Sequence, residues 1–218
     1  MRNKFDEQLQ RLDEYLIRMG ELCESAITNA TKALKEGSIE QAKAVIEDDS
    51  EIDEMEKDVE KMCLKLLLQQ QPVAKDLRRI SAALKMITDM ERIGDQTADI
   101  AEIVISSKMT ESVDIKDIGK MASAVSKMVR DSVASYVDKD LELAKKVMLE
   151  DDAVDELFFK IQGELIQFIA EQKGQHGRKI VDLIMVTKYL ERIGDHATNI
   201  AEWVEFSMTG VHRNGVQV

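Results

Sequence analysis

Proline is almost missing from this sequence: Pro72 is the only one in 218 residues. Glycines number ten and aromatic residues make up 4%. So few turn formers and ring side chains leave little for a sheet-rich fold and point to long helices. Cysteine is scarce too. Cys23 and Cys63 form no CxxC pattern and have no histidine at ligand spacing, so both thiols are expected as small core residues in a reducing compartment. Positive charge is short, with 30 Lys and Arg against 42 Asp and Glu and a formal net charge of −12. That balance argues against nucleic acid and bare anionic membrane as partners. It suits multivalent cations or a basic protein surface. No apolar run approaches the length that crosses a bilayer. The first twenty residues carry Arg2, Lys4, Asp6, Glu7 and Arg11, which is no signal peptide. The expectation is a soluble, cytoplasmic protein without direct membrane insertion.

What is present is helical periodicity. Residues from about 4 to 36 alternate charge and apolarity at helical spacing, and Gly37-Ser38 reads as a stop followed by a new cap. From Ser38, the apolar positions Val45, Ile52, Met55, Val59, Met62 and Leu66 step by threes, fours and sevens. Gln69-Gln70-Gln71-Pro72 ends that helix, and Pro72 can open the next. A third seam runs through Leu77, Ile80, Leu84 and Ile87, then meets Glu91 and Gly94 where leucines are expected. The pattern weakens at Thr110–Asp114. A fourth helix over Ile115–Val137, a fifth from Asp140 and a sixth from about Arg178 to Met208 repeat the plan. The expected fold is all-α: six long antiparallel helices in two tandem three-helix bundles, residues 1–110 and 111–218.

The repeat is visible in the letters. Glu91-Arg92-Ile93-Gly94-Asp95 returns 100 residues later as Glu191-Arg192-Ile193-Gly194-Asp195. Asp49 and Asp53 of the second helix likewise answer to Asp151 and Asp155 of the fifth, at an offset of 102. Each pair is spaced by four and shares a helix face. Asp53 lies 19 residues before Pro72 and Glu91 lies 19 after it, while Asp49 and Asp95 are each 23 away. In an antiparallel hairpin the pairs therefore stand at equal heights. The second half repeats this about residue 173. Four carboxylates per half then converge, provided the helix rotations agree. Like charges so close repel and raise one another's pKa, and a hard cation such as Mg, Ca, Mn or Fe removes the penalty. Gly94 and Gly194 would let a neighbouring helix or an ion approach.

Other features carry less. Arg92 and Arg192 are expected in ion pairs with the acids. Arg78-Arg79 and Arg178-Lys179 form mirrored basic pairs expected on the solvated surface. His196, beside Asp195, could add a nitrogen ligand. A di-iron oxidase of the ferritin-like class needs Glu-x-x-His pairs, but the residues three before His176, His196 and His212 are Lys173, Ile193 and Thr209. Nucleophile elbows, phosphate-binding glycine loops and zinc-hydrolase helices are also missing. The expectation is a protein that is not an enzyme. The bland alternative is a metal-free helical scaffold whose acids form a solvated face.

Two halves, each with a DxxxD pair and an E-R-I-G-D-x-x-x-[DN]-I-A-E helix, resemble the PhoU family from about Phe5 to Met208. That resemblance implies a regulator of phosphate uptake that represses the phosphate-starvation response. It implies coupling between the phosphate ABC transporter and a phosphate-sensing histidine kinase at the inner face of the membrane, and a homodimer. It also implies divalent or trivalent metal ions (Fe, Mn, Mg, Ca or Zn) on carboxylate clusters. By position the ligands would be Asp49, Asp53, Glu91, Asp95 and Asp99, then Asp151, Asp155, Glu191 and Asp195. Asn199 stands where a second Asp99 would be.

Overall fold

The structure, a computed structural model, describes residues 2–69, 72–107 and 116–211. It contains α1 (Arg2–Glu36), α2 (Ile39–Gln69), α3 (Ala74–Ser107), α4 (Lys116–Asp138), α5 (Leu141–Glu171) and α6 (Gly177–Thr209). The expected junction of the halves at residues 110 and 111 lies outside the described residues, as does most of the expected fraying of the tail, from His212 onward. Gln70 and Gln71 also lie outside them.

Each helix starts and stops for local reasons. In α1, Phe5, Leu9, Leu12, Leu16, Met19 and Cys23 recur by threes and fours and are all buried, so one stripe faces inward. The helix stops at Gly37, whose φ of 62° is left-handed. The Ser38 hydroxyl then accepts from the Gln41 amide at 3.3 Å and starts α2. Between α4 and α5 the cap is Asp140, which accepts from the Leu143 amide at 2.9 Å. Pro72 lies two residues ahead of α3 and not inside its first turn.

The first three helices pack on one another, as do the last three. The halves meet through α3 against α6, the most extensive pairing in the molecule, and through α1 against α4. Asp89 lies level with Asn199, and Asp99 with Tyr189, so α3 and α6 run antiparallel. Met19, Met86, Met90, Met121 and Met128 are fully buried in one continuous core. Cys23 and Cys63 are buried free thiols, and burial pushes both up to about 12. One surface expectation needs correcting. Arg79 is no solvated cation: it reaches Asp13 on α1, lies 5.6 Å from the Tyr136 ring of α4, and its carbonyl accepts from the Tyr136 hydroxyl at 2.9 Å. Packing of α1 and α4 over the start of α3 buries its guanidinium.

Candidate metal sites on the acidic seams

The α2–α3 and α5–α6 hairpins are in the register that the arithmetic anticipates. A Cβ built on Gly94 would overlap the Asp49 carboxylate and lie 3.1 Å from Ile52. Gly94 is thus required by the close approach of α2. Its counterpart is looser, since a Cβ on Gly194 would stand 3.4 Å from both Asp151 and Val154.

The first seam brings Asp49 and Asp53 of α2 beside Glu91, Asp95 and Asp99 of α3, all half-buried. Partial burial pushes the Asp49 carboxyl up to about 6, helped by the charges of Asp53, Asp95 and Asp99. Burial likewise raises Glu91, with Asp95 adding to it and Arg92 opposing. One Asp49 oxygen is buried with no hydrogen-bond partner. A desolvated carboxylate oxygen left unpaired is costly, so the oxygen suits a cation. Arg92 bonds Asp95 at 2.9 Å and approaches Glu91 at 3.5 Å.

The second seam gathers Asp151, Asp155, Glu191 and Asp195; the first three are half-buried and Asp195 is exposed. Burial pushes Asp151 up to about 6, with Asp195 and Asp155 contributing. Although Asp195 reaches solvent, partial desolvation of its carboxyl raises it first, then Glu191, against the pull of Lys188. Lys188 pairs with Glu191 and lies 5.4 Å over the Phe158 ring.

Asp99 and His196 both turn toward the other half. Asp99 lies beside Tyr189 of α6, whose hydroxyl draws its carboxyl down against the push of burial. His196 is no nitrogen donor to its own seam: Nδ1 lies 2.9 Å from Asp89 of α3, whose same oxygen accepts from Asn199 at 3.1 Å. Among the described residues, no three His, Cys, Asp or Glu side chains form a ready coordination sphere. Side-chain rotation at Asp95 and Glu191, away from Arg92 and Lys188, would precede chelation. The donor set nonetheless fits a hard cation at the first seam, on the strength of the orphaned Asp49 oxygen. Glu56, whose charge helps raise Glu91, and Lys188 escaped the sequence reading. Their spacing of three from Asp53 and Glu191 marks both as neighbours on the same helix face.

Fold and seams together define a tandem-repeat, all-α protein with one acidic hairpin per half. The PhoU domain model matches it twice, over residues 16–104 and 118–204. The phosphate-specific transport system accessory protein PhoU homolog of Clostridium acetobutylicum is 37% identical over 211 residues, spanning 96% of each chain. A protein of the same name from Pseudomonas aeruginosa is 34% identical, over 95% of this chain and 86% of its own. The crystal structure of PhoU from Pseudomonas aeruginosa aligns with a TM-score of 0.88 at 31% identity, covering 95% of this chain and all of that one. The phosphate transport system regulatory protein PhoU from Streptococcus pneumoniae shares the fold, with a TM-score of 0.85 at 24% identity over 94% of this chain and 97% of that one. This chain belongs to the PhoU family.

Proposed function

We propose that this chain is a non-catalytic cytoplasmic regulator of phosphate uptake that docks on a phosphate-specific transporter. It represses the phosphate-starvation response by coupling that transporter to a sensor histidine kinase. The observation that carries this reading is the PhoU match across both halves, with relatives covered almost end to end that are named as transport accessory proteins. No described helix is long and apolar enough to cross a membrane, which suits a partner that works through surface contact. The acidic surface favours basic partner faces and sets association rates more than affinity. A homodimer also belongs to this reading, and light scattering of the purified protein measures it.

In the same reading Asp49, Asp53, Glu91 and Asp95 would hold hard cations in the first half, with Asp99 at the edge. Asp151, Asp155, Glu191 and Asp195 would do so in the second. A bound cation supplies positive charge that lets the packed carboxylates stay ionised. The protein's own part is to orient the acids, exclude water from Asp49 and lock α2 on α3 and α5 on α6. Deleting the gene should raise a phosphate-starvation reporter at high phosphate; an unchanged reporter would point to another regulatory task. One observation favours a second reading, a metal-free scaffold: Arg92 and Lys188 already engage acids of each seam. Metal content of protein purified without chelators separates the two.

A further inference from the structure

The two seams are not equivalent, and the departures from the internal repeat among the groups nearest the acids are unevenly shared. At the offset of 100 between α3 and α6, Thr88 is matched by Lys188, Ala98 by Thr198 and Asp99 by Asn199. At the offset of 102 between α2 and α5, Glu56 is matched by Phe158. The first seam therefore has two half-buried carboxylates without an acidic counterpart, Glu56 and Asp99. The second has one, Asp152 (matched by Ser50), which is exposed, together with an extra ammonium and an extra hydroxyl. The consequences are structural. Lys188 pairs with Glu191 and lies over the Phe158 ring, whose counterpart in the first seam is Glu56. Thr198 is 7% exposed, and its hydroxyl is near Asp151 without meeting hydrogen-bond geometry. Asn199 spends its amide on Asp89, across the α3–α6 interface. In the first seam the oxygen left buried without a partner belongs to a carboxylate, that of Asp49.

We infer that Lys188 is the resident counter-cation of the second seam, so that hard metal ions load the first seam first and reach the second only by displacing the lysine. The inference rests on the metal-holding reading above and adds an order of occupancy and the residue that sets it. Lys188 is a positioning residue here: it touches Glu191 and the ring, and acts on metal through them. An ammonium delivers one positive charge through hydrogen bonds to single oxygens, whereas a divalent ion gathers several carboxylates at once. The first seam has a cation of its own, since Arg92 engages Asp95 and Glu91, but it leaves the buried Asp49 oxygen without a partner. A seam with fewer half-buried carboxylates and an ammonium on Glu191 thus gains less from an added ion.

The test is Mn²⁺ titration of chelator-treated full-length protein, counting free ion by electron paramagnetic resonance. Asp49→Asn with Asp95→Asn, and separately Asp151→Asn with Asp195→Asn, assign each binding class to its seam. Wild type should show a tight class at the first seam and a class at the second weaker by about tenfold or more. Lys188→Gln, which keeps the reach and removes the charge, should tighten the second class by about tenfold and leave the first unchanged. Thr88→Lys should weaken only the first. Lys188 is partly exposed, so these variants should fold, and circular dichroism checks that. Equal affinity at both seams with Lys188→Gln inert would overturn the inference while sparing the metal reading. Wild type that binds no Mn²⁺ at either seam would defeat both.

Discussion

Asp49 and Asp151 show how much a single carboxylate can report. Both are held near pH 6, chiefly by partial burial and then by neighbouring acids. Their ordinary value is 3.8, so between about pH 4 and 6 the folded chain holds more protons than the unfolded one. Their contribution to the metal-free protein is therefore favourable below pH 4 and unfavourable above pH 6. Urea midpoints with chelator present should rise on going from pH 7 to pH 5. A fall over that interval would mean that these groups are not crowded when folded. The paired glycines give a second contrast. Gly194→Ala fits at ordinary contact distance and should add up to about 1 kcal/mol of stability from helix propensity. Gly94→Ala collides with Asp49 and presses on Ile52. It should cost about 1–3 kcal/mol and push the Asp49 carboxylate out of its buried position. Chemical denaturation of both variants reads the difference; equal shifts would show that α2 does not need the glycine.

At the level of helices, most of the architecture was legible because each element has its own signal. The period of apolar residues located six helices, Gly37 and Asp140 marked breaks, and the 100-residue recurrence of Glu-Arg-Ile-Gly-Asp gave the two-fold plan. Hairpin register was legible too, since equal rise on both helices makes height a matter of counting from the turn. Rotation about each helix axis was not. That is why His196 was grouped with its own seam although it faces Asp89, and why Arg79 was placed in water although it faces Asp13 and Tyr136. Those contacts depend on how α6 meets α3 and how α1 and α4 close over α3, which no local pattern encodes. The Arg79 knot also makes a claim of its own. Arg79→Met removes a charge-assisted bond between α1 and α3 and should destabilise the fold by about 1.5–3 kcal/mol. A denaturation midpoint like that of wild type would show the knot to be incidental.

Across the whole molecule, the halves form one core, joined by α3 on α6 and α1 on α4, while the two acidic hairpins differ in charge balance. If cations bind the folded chain and not the unfolded one, occupancy adds stability by mass action. Glu91→Ala with Asp95→Ala should then abolish binding at the first half only, and Mn²⁺ titration of that variant should still find the weaker class held by the second. The account depends above all on whether packed carboxylates recruit a hard cation. Its most direct test is metal content of chelator-free protein, followed by thermal unfolding before and after chelation. The account predicts co-purifying metal and a lower melting temperature once it is removed. Metal-free protein whose melting temperature ignores both chelator and added Mn²⁺ would contradict it.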